Sequence, residues 1–210
     1  MSKHGLETRR LILRAALKRF ANGGYAATSV QQIVGDAKVS KPALYYHFRD
    51  KADLFQALVS EAHDERFQVV QQAAARKSDV RGQLIEILAA LFDYFYKNRD
   101  LTRIAFATAF AAPGEVPPDL RYLDRCQRNL EFIRSLIQRA QTAGELGDRF
   151  DRRDLAYGFY GLAHFFIASH LLMPDYRLNR RSAERIVDLF LAGAGAKKKQ
   201  RASISRRAKA

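Results

Sequence analysis

A chain of 210 residues with 48% hydrophobic side chains can build one small module and one larger domain around a real core. Its net charge of +14 sits at the ends: residues 1–50 hold 9 basic and 3 acidic groups, residues 51–195 hold 20 and 19, and residues 196–210 hold 7 and none. That partition points to a polyanion partner rather than to charge spread for solubility. The lone Cys126 excludes an intrachain disulfide, and without a CxxC or Cys/His spacing nothing points to zinc, so the expected surroundings are a reducing cytosol.

At the N-terminus, Arg9, Arg10, Arg14, Lys18 and Arg19 interrupt the run LILRAAL, which rules out the apolar segment of a signal peptide. Leu13, Ala16, Leu17 and Phe20 instead fall on one face of a first amphipathic helix. Residues 28–51, TSVQQIVGDAKVSKPALYYHFRDK, then read as two short helices around a tight corner. Thr28 and Gln31 have the spacing of a capping box, so a helix is expected to begin near Ser29 and to bury Val30, Ile33, Val34 and Ala37. Lys38-Val39-Ser40 forms the corner, Ser40 is a good N-cap, and Pro42 falls in the first turn of the second helix, where a missing amide hydrogen costs nothing.

On that second helix Leu44 and Phe48 lie one turn apart on the buried face. Lys41, Pro42, Ala43, Tyr45, Tyr46 and His47 then face outward. Lysine and tyrosine suit phosphates, lysine suits guanine edges, and proline or alanine suits the thymine methyl, so the major groove of DNA is the expected partner. An ordinary helical hairpin gives no reason to expose two tyrosines beside a lysine.

Phe20, Gly24-Tyr25, Thr28-Ser29 and Leu44-Tyr45-Tyr46-His47-Phe48-Arg49-Asp50-Lys51 together resemble the N-terminal pattern of the TetR family of bacterial transcriptional repressors, over roughly residues 6–60. The resemblance implies an all-α fold, with a three-helix helix-turn-helix DNA-binding domain followed by a larger helical ligand-sensing and dimerisation domain. It also implies that Thr28 or Ser29, Tyr45, Tyr46 and Lys51 hold phosphates, that Lys41, Pro42 and Ala43 lie closest to base edges, and that His47 sits at the margin. Two positions depart from the pattern. Val34 replaces a customary alanine where the helices touch, and Lys38 replaces a customary glycine in a left-handed corner, at roughly 1 kcal/mol.

Beyond Asp50, a plausible N-cap, Leu54, Phe55, Leu58, Val59 and Ala62 continue a helix into the mid-seventies. Leu84 to Phe95 mark another, broken near Asn98, and LTRIAFATAFAA at 101–112 is apolar nearly all round, as in a helix that is buried or lines a cavity. Leu120, Leu123, Leu130, Ile133 and Ile137 define a long helix closed by Gly144. From Asp151, LAYGFYGLAHFFIASHLL carries more apolar surface than one core can use, although no run is expected to span a bilayer. Ile186 to Leu191 mark a last helix before Gly193 and Gly195. Histidines are scattered, and His63 between Glu61 and Glu65 reads as part of a solvated charged face.

The expected organisation is therefore a DNA-binding domain at 1–50, an effector-binding and dimerisation domain at 51–195, and a disordered basic tail at 196–210 that either adds nonspecific, salt-sensitive DNA affinity or is an inert solubilising end. The last two helices, about 152–172 and 180–193, are expected to form the homodimer interface, which the resemblance to four-helix-bundle dimers favours. Phe92, Phe95, Phe106, Phe110, Phe132, Tyr160 and His164 are candidates to enclose a pocket for a hydrophobic or aromatic small-molecule effector; periodicity does not separate pocket from core for any one of them. The resulting expectation is a cytoplasmic, non-enzymatic DNA-binding repressor, with no cofactor, metal or membrane partner, released from a palindromic operator by its effector. An architectural DNA-binding protein leaves the large neutral domain unexplained, and a helical enzyme has no cluster of catalytic residue types to stand on.

Overall fold

The computed structural model describes residues 3–118, 120, 123–173 and 175–194. Among these every regular element is an α-helix: α1 Lys3–Ala27, α2 Val30–Ala37, α3 Lys41–His47, α4 Lys51–Ala74, α5 Val80–Lys97, α6 Arg99–Ala109, α7 Leu123–Thr142, α8 Arg152–Leu172 and α9 Arg180–Ala194. Short polar side chains start most of them. Asp50 accepts from the Asp53 amide at 2.7 Å, Asp79 from the Gly82 amide at 2.7 Å and Asp151 from the Arg153 amide at 2.7 Å, each satisfying a donor that the first turn leaves bare.

The corner at 28–40 follows the expected path with one shift. The capping box is formed by Ser29 and Gln32, one residue later than the Thr28/Gln31 spacing implied: the Gln32 amide donates to Ser29 Oγ at 3.2 Å, and the Ser29 amide donates to Gln32 Oε1 at 2.9 Å. Lys38 adopts φ 54°, ψ 43°, the left-handed conformation expected of it. Its amide and that of Val39 close the helix on the Gly35 and Val34 carbonyls at 3.2 and 3.1 Å. Gly24, at φ 74°, ψ 171°, breaks α1 in a conformation that only glycine adopts easily.

Two apolar cores form. One unites α1, α2 and α3 through Ile12, Ala16, Phe20, Ile33 and Leu44, but it also takes in Leu54, Phe55, Leu58 and Val59 of α4 and Ile104 of α6. The N-terminal module is thus not closed at residue 50. α4 and α6 run out of it into the second core, where Leu84, Ile87 and Leu88 meet Ile137, Ala156 and Val187. Phe20, Tyr25 and Phe55 pack edge to face at 5.0 and 5.2 Å between ring centres. Glu86, 7% exposed inside the apolar stripe of α5, is held ionised by Arg180 at 2.7 Å, whose hydrogen bond pulls the carboxyl below its usual range.

Other boundaries differ modestly. α6 ends at Ala109, before Pro113-Gly114, and Leu120 precedes α7 rather than belonging to it. Gly193 lies inside α9. Pro174, Gly195, the side chain of Leu123 and the tail 196–210 lie outside the described residues. Contrary to expectation, α8 is long and apolar enough to cross a membrane by length and composition. Its inner residues Leu155, Phe159, Ala163 and Ile167 are nevertheless buried in the second core.

Because Lys38 bears a left-handed backbone with a Cβ, Lys38→Gly is expected to raise unfolding stability by about 1 kcal/mol, read from urea denaturation. A loss of stability would show that the Lys38 stem packs to greater effect than its backbone strains.

Candidate DNA-reading head and ligand cleft

Burial of Leu44 and Phe48, 0 and 3% exposed, turns the other side of α3 outward. Tyr46 is 78% exposed and Tyr45 50%; Lys41 and Pro42 are exposed, while Ala43 and His47 are half-buried. The Ser40 hydroxyl fixes the start of this surface by accepting from the Ala43 amide at 3.2 Å. The Tyr46 and His47 rings meet edge to face at 5.0 Å. Burial, and then the nearby Arg9 charge, push the His47 imidazole below its ordinary pKa. Sequence reading passed over two exposed cations that flank α3, Lys38 and Arg49; the latter's guanidinium lies 3.7 Å from Asp53. Their positions on either side of the second helix were the available signal.

Two assigned phosphate contacts are otherwise engaged. Thr28 is 4% exposed and its hydroxyl donates to the Gly24 carbonyl at 2.7 Å; Ser29 occupies the exposed N-cap. Lys51 is half-buried: its ammonium donates to the Tyr25 and Thr28 carbonyls at 2.9 Å each, reaches Ala26 at 3.4 Å, and lies 4.3 Å from the Tyr25 ring centre. Burial pushes its pKa down and that of the Tyr25 phenol up. These partners hold the Lys51 ammonium against the backbone at the junction of α1, α2 and α4.

In the larger domain, α4, α6, α7 and α8, with Phe95 of α5, line a cleft of about 360 Å³. Five of the seven residues expected there line it: Phe95, Phe106, Phe110, Tyr160 and His164. Phe92 does not, since it is 3% exposed within the core. Phe132 also does not, because its ring packs edge to face on Phe67 at 5.9 Å. Phe110 and Phe165, 86 and 70% exposed, stand at the rim. Sequence reading missed His63, Arg66 and Cys126 in the lining. Far from a solvated face, His63 is 5% exposed and takes the Arg66 guanidinium on Nδ1 at 2.8 Å. Burial, reinforced by Arg66, Arg125 and Arg128, drives its pKa down to about 3. His164 opens onto the cleft, yet protein surrounds it, and burial followed by the Arg66 charge lowers its pKa to about 4.

A helix-turn-helix head carried on a helical body with an internal cleft defines a class of bacterial regulatory proteins. Residues 12–58 match the family described as "Bacterial regulatory proteins, tetR family", so the head is similar to the N-terminal domain of that family. It is 30% identical over 115 residues to the HTH-type transcriptional activator FasR of Mycolicibacterium smegmatis, covering 55% of this chain and 52% of that one, so the alignment spans about half the relative's length. It is 25% identical over 179 residues to the HTH-type transcriptional regulator TtgR of Pseudomonas putida, covering 80 and 82%. The crystal structure of FadR from Bacillus subtilis in complex with stearoyl-CoA shares the fold, with a TM-score of 0.74 at 18% identity over 88% of this chain and 98% of that one. All three are named as transcriptional regulators or activators.

Lys51→Met is expected to lower stability by about 2 kcal/mol, because carbonyls that accept from an ammonium lose their donor, and to weaken all DNA alike. Lys41→Ala should leave the melting temperature unchanged and alter base preference; a stable Lys51→Met chain with normal DNA binding would defeat the fastening role. His63 titrates near 6.5 when unfolded and near 3 when folded, so the unfolded chain binds the extra proton between those values. Stability present above pH 6.5 is thereby lost as pH falls. His63→Gln should flatten the decline in thermal midpoint between about pH 6.5 and 5, above the carboxylate range; an unchanged slope would refute it.

Proposed function

We propose that the chain is a homodimeric repressor that binds a palindromic operator through α3 and is released when a small apolar or aromatic effector fills the cleft between α4, α6, α7 and α8. The observation that carries this reading is the division of labour along two helices. α4 contributes Leu54, Phe55, Leu58 and Val59 to the head core and His63 and Arg66 to the cleft. α6 contributes Ile104 to the head core and Phe106 and Phe110 to the cleft. A ligand that displaces either helix therefore displaces the head, and it shifts DNA affinity by its differential affinity for the two arrangements. DNA must in turn weaken the ligand by the same factor.

Pairing of two chains follows from α8 and α9. Tyr157, Phe165 and Leu172, 52, 70 and 80% exposed, recur about two turns apart on α8, and Leu189 of α9 is 61% exposed. Between them Gly161 has nothing within 4 Å of where a Cβ would stand, which leaves room for a second helix to approach. Two heads held about 34 to 36 Å apart, or a multiple, read half-sites in successive major grooves. The sign of regulation is the part to which the relatives lend least, FasR being named an activator.

Selection from random duplexes should enrich a palindrome, and failure to enrich any motif would overturn the operator reading. Leu189→Glu together with Gly161→Glu should convert a particle of twice 23.9 kDa to a folded monomer in sedimentation and reduce palindrome affinity at least a hundredfold. Dimers that persist would move the interface elsewhere.

A further inference from the structure

Resting on the proposal that the cleft is the effector site, we infer that its ligand is an apolar carboxylic acid whose anionic head pairs with Arg66. Arg66 is 8% exposed and lines the cleft. Its Nε has no hydrogen-bond partner, and among the described residues no carboxylate lies within ion-pair distance of it. The acids nearby are occupied: Asp64 is shared by Arg125 and Arg128 at 2.5 and 2.7 Å, and Glu65 accepts from the Tyr94 hydroxyl at 3.3 Å.

The neighbours that do touch Arg66 leave its charge uncompensated. His63 supplies a neutral acceptor, and the Cys126 thiol is held protonated by burial. Arg66 also borders a small hole of about 20 Å³ together with Asn129, whose Oδ1 is likewise unpartnered. A water there can join the two atoms but brings no counter-charge.

A buried cation without an anion costs stability unless it is paired, and persists where function uses it. A guanidinium's planar fork matches a carboxylate, and one unpaired cation calls for a monoanion. The rest of the lining, Phe95, Phe106, Phe110, Phe165, Ile167 and Ala168, suits the hydrocarbon or ring that such an acid carries. A cationic or neutral ligand would leave Arg66 as it is.

Calorimetric titration of the full chain near neutral pH with decanoate and decanol, and with naphthoate and naphthol, tests this. At least one acid should bind tenfold or more tightly than its alcohol, as a charge-assisted hydrogen bond in a buried site allows. Arg66→Met should erase that preference while keeping alcohol binding, and Arg66→Lys should keep part of it. Ligand-free Arg66→Met should melt no lower than the parent. If the parent binds the alcohols as tightly as the acids, or Arg66→Met keeps the preference, the anion assignment falls while the effector cleft stands. If none of the four binds the parent, both fall; the parent comparison requires no variant to fold.

Discussion

The Lys51 ammonium is the fastener on which the geometry of the head depends. It reaches back from the first turn of α4 to the Tyr25 and Thr28 carbonyls, which belong to the end of α1 and the entry to α2. Three helices therefore meet at one cation, over the face of one tyrosine. The carbonyls it takes lie at the C-terminal end of α1 and in the link to α2, where helical pairing leaves acceptors bare. A charge-assisted bond is roughly twice as strong as a neutral one, and shielding from water by the Tyr25 ring strengthens it further. Orientation of the α2–α3 pair relative to α4, and hence to the body, is set here.

From that point α4 acts as a rod with two ends. Its first turns are core of the head, and its middle presents His63 and Arg66 to the cleft. α6 repeats the arrangement with Ile104 and Phe106, two residues apart on opposite sides of one helix. Close-packed cores transmit displacement because they have little free volume to absorb it. A ligand bound in the cleft, as proposed, would act on the head through two helices whose far ends are already locked, rather than through a flexible linker.

Local signals made the head readable in advance. Apolar spacing located Ile33, Val34, Ala37, Leu44 and Phe48, and the departure from the familiar glycine at Lys38 foretold its left-handed backbone. What failed was choice among neighbours: Thr28 and Ser29 both have hydroxyls, and only the tertiary path makes one a buried donor to Gly24 and the other the cap. The carbonyl partners of Lys51 were unforeseen for a related reason, since a basic residue beside such a helix carries no mark of whether its ammonium faces solvent or carbonyls. In the body, aromatic spacing identified five cleft residues but could not separate Phe92, which shares α5 with Phe95 but lies in the core, or Phe132 of α7, whose ring turns onto Phe67. His63 and Arg66 escaped because flanking glutamates made a buried pair look like a solvated face.

The surplus of apolar surface on α8 has more than one outlet. Leu155, Phe159 and Ala163 enter the core, Tyr160 and His164 line the cleft, and Tyr157 and Leu172 stay exposed. Phe165 belongs to both outer sets, since it lines the cleft rim while being 70% exposed. If a second chain covers the exposed stripe, as proposed, it must also border the mouth of the cleft at Phe165. Ligand occupancy and chain pairing would then share a side chain, and a change in its rotamer would be felt by both. A helix used on three sides in this way has to be apolar all round, which is why it satisfies the length and composition of a membrane span while contributing to a folded core.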